Sequence, residues 1–116
     1  MKRIDGHRVA IAQGNVNLFS DFEDGGEMWT GDGVRIKDSE VEFAMPFAEP
    51  PVVHVGLSMW DAAHDTNMRV DVHAEDVTER GFRVVMHTWG DTRLARARAA
   101  WIAIGAAPNE DDWALY

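Results

Sequence analysis

Cysteine is absent from this chain of 116 residues. Without thiols the protein forms neither a disulfide framework nor a thiolate metal site, so side-chain packing must hold the fold. No apolar run approaches the length of a transmembrane helix. The segment from Met1 to His7 contains basic residues but lacks the apolar stretch of a signal peptide. The sequence therefore predicts a soluble protein that is synthesised in the cytoplasm, with lysis or incorporation into a particle as the remaining routes of release.

Positive charge is also scarce. The chain has 11 Lys and Arg against 20 Asp and Glu, which gives a formal net charge of −9. This balance repels phosphate backbones and anionic membrane surfaces. The one basic cluster, Arg93, Arg96 and Arg98, is expected to pair with the surplus carboxylates. We therefore expect no nucleic-acid partner and no membrane insertion.

Sustained helical periodicity is missing as well. Runs rich in Val, Ile, Phe and Trp alternate with polar residues between Gly, Pro and Asp clusters, which is typical of an antiparallel β-sandwich. A chain this short holds one core, so we predict a single all-β domain over residues 1–116. Strands are expected at residues 9–12, 34–36, 41–47, 52–60, 68–77, 82–89 and 96–104. Residues 16–30 are predicted to form an ordered loop that packs Phe19, Phe22 and Trp29 over the end of the sandwich.

Residues 68–77 and 82–89 are predicted to pair as a β-hairpin. A three-residue loop over residues 79–81, with Gly81 in the left-handed conformation, would place His73 opposite His87 and Arg69 opposite Asp91. One face would then be apolar, and the other would carry Arg69, Asp71, His73, His87, Trp89 and Asp91. This outer face suits sugar binding, because an aromatic ring covers C–H faces and charged groups bond hydroxyls.

The last predicted strand is apolar on both faces from Trp101 to Ile104, which predicts cover on both faces. Because a small domain has one core, the second cover is expected to be another subunit. The tail, residues 106–116, is acidic and then aromatic. It either frays or docks Trp113 and Tyr116 on a neighbouring chain.

Short motifs occur in a consistent order along the chain. They are Phe43 and Phe47 before Pro50-Pro51-Val52-Val53, then Asn67-Met68-Arg69-Val70, Gly81-Phe82, Thr88-Trp89 and Trp101-Ile102-Ala103-Ile104. With the hairpin, this set resembles the H-type lectin family, which includes the snail agglutinins and the C-terminal domains of discoidins. The resemblance covers about residues 30–105. It implies a six-stranded antiparallel β-sandwich that forms a homotrimer, with shallow N-acetylgalactosamine-type sites at the subunit boundaries; pairing of trimers into hexamers is a further option.

The resemblance also implies site residues. Arg69 matches the family's sugar-binding arginine, Trp89 matches the tryptophan beside the sugar, and Asp32 matches an aspartate that accepts from a sugar hydroxyl. Each also has an ordinary structural role. Arg69 could form an exposed ion pair with Asp71 or Asp91, Trp89 could fill a trimer seam, and Asp32 could stabilise a turn.

Two positions depart from the family pattern. Gly90 stands where the snail lectins have a histidine, and Ala95 stands where an aromatic residue is expected. Asp91 is expected to compensate in part by hydrogen bonding. The departures leave the identity of the sugar open.

The residues of the outer face could also form a metal site or a catalytic site. His73 and His87, with His54 or Asp71, are a feasible ligand set, but no dense metal-binding motif surrounds them. Asp71 and Asp91 lack the closed cleft that glycoside hydrolysis requires. The chain also has no phosphate-binding loop and no nucleophile elbow. We predict no metal, no cofactor and no enzyme activity.

The sequence as a whole predicts a multivalent lectin that mediates adhesion by recognising cell-surface glycans or polysaccharides. Its expected sugar-binding residues are Asp32, Arg69, Trp89, Gly90 and Asp91. The alternative is a structural or host-attachment module of a phage-like particle, in which sugar binding is altered or lost.

Overall fold

The computed structural model describes residues 1–6 and 8–108. Six strands and two one-turn helices follow one another in the order β1 (Val9–Ser20), α1 (Asp21–Asp24), α2 (Glu27–Thr30), β2 (Arg35–Glu42), β3 (Val52–Ala62), β4 (Val70–Glu75), β5 (Gly81–Thr88) and β6 (Leu94–Ala106). Neither helix of the described chain has the length and apolarity needed to cross a membrane. Trp113 and Tyr116, predicted to fray or dock, lie outside the described residues.

The strands form two three-stranded antiparallel sheets, ordered β1-β6-β3 and β2-β5-β4. The predicted all-β sandwich is therefore confirmed. The inner faces enclose two apolar clusters, one of Phe43, Phe47, Val55, Phe82, Val84, Ala99 and Ala103, and one of Met28, Met86, Leu94 and Ala97.

Trp101 shows how closely the first cluster is packed. Its ring centroid lies 5.3 Å from that of Phe82 and 5.8 Å from that of Phe43. The ring also covers the backbone of Gly14, where an added Cβ would lie 2.9 Å from the indole. Gly14 is therefore required by close approach, and a larger residue there would displace the central aromatic ring.

The two-sided apolar character of β6 is visible in the sheet. Trp101 faces the core, whereas Ile104 faces outwards and is 38% exposed. In the sheet Ile104 lies between Ile11 and Val52, which are 64% and 55% exposed. These three side chains form an apolar stripe on the outer face of the β1-β6-β3 sheet.

The prediction of an ordered loop over residues 16–30 is wrong. Strand β1 continues to Ser20, because Val16 and Leu18 keep the inward alternation. Helix α2 then begins with the buried carboxylate of Asp21 accepting the main-chain N–H of Met28 at 2.9 Å. The Phe22 ring packs edge-on against Trp29 but remains 60% exposed.

Separate strands at 34–36 and 41–47 are also incorrect, because a single strand, β2, spans this region and ends at Glu42. Sequence reasoning missed the continuous strand because Lys37 places a charge at a half-buried position. The Lys37 Nζ lies 3.6 Å from Asp21 Oδ2. Beyond the strand, the main-chain N–H groups of Phe43 and Phe47 bond carbonyls of the β4–β5 loop, at 2.8 and 2.9 Å.

The predicted hairpin register is off by two residues. Asp71 lies opposite His87 and His73 opposite Val85, so the two histidines do not face each other across the strands. A slip of two residues keeps every side chain on its predicted face, which is why the hydrophobic pattern could not detect it.

The predicted three-residue loop is wrong as well, since residues 76–80 connect the strands. The Thr78 hydroxyl oxygen closes this loop by accepting the N–H groups of Arg80 and Gly81 at 3.1 and 3.3 Å. Gly81 is the first residue of β5 and is not left-handed. Glycine is needed at position 81 because a Cβ there would overlap the carbonyl oxygen of Val41 on the neighbouring strand.

Candidate functional site

Arg69 and Asp91 form the centre of the candidate site. The Arg69 Nη1 donates to Asp91 Oδ1 at 3.1 Å, and both side chains are partly exposed, at 39% and 55%. The expected proximity is therefore present, but the two residues lie in loops beyond the ends of β4 and β5 rather than opposite each other in the ladder. The pair presents guanidinium donors and carboxylate acceptors together to solvent.

Asn67 supports the Asp91 carboxylate from the same loop as Arg69. Its main-chain N–H and its side-chain amide donate to Asp91 at 3.4 and 3.3 Å. These Asn67 hydrogen bonds, with a smaller contribution from the Arg69 charge, lower the pKa of Asp91 below its usual value. Asp91 is thereby held as an ionised acceptor.

Two buried threonines fix the main chain of Arg69. The Thr88 hydroxyl donates to the Arg69 carbonyl, and the Thr92 hydroxyl oxygen accepts the Arg69 N–H at 3.0 Å. Thr92 in turn donates to the Asn67 carbonyl at 2.6 Å. Sequence reasoning missed both threonines, because a buried threonine at a strand end carries no signal that separates it from an exposed one.

Gly90 lies directly beneath the Arg69 side chain. It has a left-handed φ of 68°, and a Cβ there would lie 3.3 Å from the Arg69 Nη1. Glycine adopts this conformation without the steric cost that other residues incur. The absence of a side chain therefore serves two purposes, since it permits the turn and leaves room for the guanidinium.

Trp89 follows β5 and is 39% exposed. Its ring centroid lies 5.3 Å from that of His87, with the two planes tilted by 31°. The indole is thus supported on the sheet by an imidazole while much of its surface stays available to a ligand. This is the aromatic surface that the hairpin pattern predicted.

The loop that carries Asp32 meets the Gly90 turn within the same chain. The Gly33 N–H donates to the Gly90 carbonyl at 2.9 Å. Asp32 itself is exposed, and its carboxylate makes no hydrogen bond or ion pair with any residue that the structure describes. The structure therefore brings the backbones of the predicted residues Asp32, Trp89, Gly90 and Asp91 into one region with Arg69.

Arg35 was missed by sequence reasoning and lies behind this region. It is the first residue of β2 and is only 4% exposed. Its guanidinium donates to five main-chain carbonyls, those of Gly33, Glu27, Met28, Gly31 and Gly90, at 3.0 to 3.4 Å. Main-chain acceptors have no signature in a sequence, so an arginine of this kind looks like any charged residue at a strand start.

Two of the histidines considered as metal ligands share one carboxylate, because Asp71 Oδ2 lies 2.9 Å from His73 Nδ1 and 3.4 Å from His87 Nδ1. The other ring nitrogen of His73 lies 3.2 Å from Glu75, and His54 lies on β3 in the other sheet. Among the described residues no group of three or more His, Asp or Glu side chains is arranged to hold a metal ion. Hydrogen bonds to Glu75 and Asp71 raise the pKa of His73.

Comparison with known proteins identifies the family. Residues 38–104 match the family model of the H-type lectin domain. The chain belongs to this family. Of the site residues in this H-type lectin domain, Arg69, Trp89, Gly90 and Asp91 lie inside the matched range, and Asp32 precedes it. The resemblance noted in the sequence is thus confirmed, and the family supports a carbohydrate-binding role.

Relatives and solved structures agree with the family. The domain is 53% identical over 110 residues to the protein named ATP synthase subunits region ORF 7 of Fuscovulum blasticum, covering 95% of this chain and 96% of the relative. It is 33% identical over 75 residues to one of the Discoidin-1 subunits of Dictyostelium discoideum, covering 64% of this chain. The chain spans only 30% of the length of that discoidin. A structure of Dictyostelium discoideum discoidin II matches with a TM-score of 0.73 at 24% identity, over 84% of this chain and 37% of that chain, which supports the fold.

Proposed function

We propose that this domain is a non-enzymatic lectin that binds galactose-type or N-acetylgalactosamine-type sugars through the Arg69 region. The observation that carries the proposal is the Arg69–Asp91 pair at 3.1 Å, beside an exposed Trp89 and above the side-chain-free Gly90. The exposed carboxylate of Asp32 is the fifth component.

The chemistry of these groups suits a sugar. The guanidinium offers several N–H donors in a fixed plane, and the side-chain oxygens of Asp91 and Asp32 offer acceptors for hydroxyl groups. The Trp89 ring offers an apolar plate for the C–H face of a pyranose. A site of this kind binds without a closed cleft.

Multivalency is part of the proposal, because one shallow sugar site is weak. A millimolar dissociation constant corresponds to about −4 kcal/mol. Several sites acting together on one glycan or polysaccharide would raise the overall affinity without new contacts. We propose a homotrimer, supported by the exposed stripe of Ile11, Val52 and Ile104, which is the kind of apolar surface that subunit interfaces cover.

The test is a calorimetric titration of N-acetylgalactosamine, with galactose in parallel, into the parent and two variants. Arg69→Ala removes charge-assisted hydrogen bonds worth roughly 1.5–3 kcal/mol each and should abolish detectable binding from a millimolar start. Arg80→Ala removes an exposed arginine from the turn at the opposite end of β5 and should bind like the parent. Unchanged binding by Arg69→Ala, with the oligomer intact, would move the site elsewhere.

A second function, a structural or host-attachment module of a phage-like particle, draws on the same apolar stripe. It also draws on Gly90, which has no side chain where the resemblance expects a histidine, and on Ala95, whose buried methyl group stands where an aromatic residue is expected. Light scattering and the titration separate the two functions. A stable oligomer that binds no sugar would favour the assembly module, whereas a monomer at micromolar concentration would contradict the trimer that both functions use.

A further inference from the structure

The buried side chain of Arg35 links the two loops of the candidate site. Its acceptors lie on three segments: helix α2, the loop of residues 31–33, and Gly90. Among the described residues no carboxylate pairs with it. A buried cation whose acceptors are all main-chain carbonyls fixes the backbone directly, because the buried guanidinium would lose its hydrogen bonds if those carbonyls moved away.

The Gly90 carbonyl oxygen accepts hydrogen bonds from both Arg35 and the loop that carries Asp32. It accepts from the Arg35 Nη2 at 3.2 Å and from the Gly33 N–H at 2.9 Å. Arg35 also donates from Nε to the Gly33 carbonyl at 3.0 Å. The Arg35 guanidinium therefore donates to both residues, Gly33 and Gly90, whose hydrogen bond joins the loop that carries Asp32 to the Gly90 turn.

The position of Gly90 in turn limits the position of Arg69. The Arg69 guanidinium lies over Gly90, 3.3 Å from the point where a Cβ would be. A shift of the Gly90 turn would therefore move the surface on which the Arg69 side chain rests.

We propose that Arg35 is a positioning residue of the sugar site, which sets the distance between the Asp32 carboxylate and the Arg69 guanidinium without touching the sugar. The inference rests on the proposed function, since it assigns Arg35 to that site. Lysine cannot replace it, because a compact ammonium group has three donors and lacks the planar fork that reaches carbonyls on three segments.

The first test measures the link between the loops without any sugar. Amide hydrogen exchange is followed at Gly33 and, as an internal control, at Phe43, whose N–H bonds the Arg80 carbonyl at 2.8 Å elsewhere in the fold. In Arg35→Lys, exchange at Gly33 should rise by about tenfold or more while exchange at Phe43 stays as in the parent. Unchanged protection of Gly33 would overturn the link.

The second test is a double-mutant cycle with N-acetylgalactosamine as the probe. Binding is followed by NMR titration, which measures dissociation constants weaker than millimolar. Arg35→Lys should weaken binding by about tenfold or more, and it should weaken binding much less in the Asp32→Ala background, where the group it positions is gone. The matched control is Arg83→Lys, since Arg83 is a half-buried arginine that pairs with Asp38 and Glu75 on the outer face. It should bind like the parent.

The outcomes distinguish the two proposals. Equal binding by the parent and Arg35→Lys, or the same loss in both backgrounds, would overturn the positioning role while the proposed lectin function stands. A parent that binds no sugar would overturn the proposed function and the role of Arg35 in it. The exchange at Gly33 would then still decide whether Arg35 links the two loops.

Discussion

Replacing Gly90 by alanine should weaken both folding and sugar binding, and the two losses have different causes. The φ of 68° places residue 90 in the left-handed region, where a non-glycine residue costs about 1–2 kcal/mol. In a domain of this size each kcal/mol lowers Tm by about 4 °C. The added Cβ would also lie 3.3 Å from the Arg69 Nη1. The Arg69 side chain is 39% exposed and can move aside, so this contact should add little to the folding cost.

Gly25 offers a matched control for the backbone effect. Its φ is 64°, and nothing lies within 4 Å of the position where its Cβ would be. Gly25→Ala should therefore lose the same free energy of unfolding as Gly90→Ala. Only Gly90→Ala displaces the guanidinium from Asp91, so only this variant should lose affinity for N-acetylgalactosamine.

Urea denaturation and calorimetric titration of both variants measure the two losses separately. Parent-like sugar binding by Gly90→Ala would refute the argument that Arg69 binds the sugar from its place above Gly90. An equal loss of binding in Gly25→Ala would instead attribute the effect to global stability.

Two further changes test the fold and its charges. Gly81→Ala should separate β2 from β5, because the new methyl group would overlap the Val41 carbonyl; we expect a loss of more than about 3 kcal/mol or no folded protein, measured by urea denaturation. The raised pKa of His73, held by Glu75 and Asp71, should stabilise the fold below pH 6.5, and this stability should be lost as pH rises through the raised pKa. His73→Gln should therefore be less stable than the parent in acid and equal to it in base, by a small amount because the side chain is 40% exposed; an equal difference at both pH values would show that the charge is not involved.

The fold could be predicted where runs rich in apolar residues stand between turn-forming residues. Strands β3, β5 and β6 overlap the runs predicted at residues 52–60, 82–89 and 96–104. Strand β2 could not be predicted, because Lys37 occupies a half-buried position that the Asp21 carboxylate makes tolerable. The hairpin register was also out of reach, since a slip of two residues leaves both faces unchanged.

Some residues of the candidate site could be predicted from the sequence and others could not. Arg69, Trp89 and Asp91 could be selected because they combine suitable chemistry with the outer face of a predicted hairpin. Arg35 and Thr92 could not be selected, because each acts on main-chain atoms of distant residues. Such contacts depend on where the chain comes together in space and leave no pattern in residue types.

The most direct test of the central claim is an NMR titration of N-acetylgalactosamine into isotopically labelled parent protein. We expect saturable shifts of the Trp89 indole N–H and of the Gly90 and Gly33 amides, with little change elsewhere. No saturable shift would contradict sugar binding by this domain. Saturable shifts confined to the cavity that Phe22, Trp29 and Arg96 help to line, about 270 Å³ in volume, would contradict the assignment of the site to the Arg69 region.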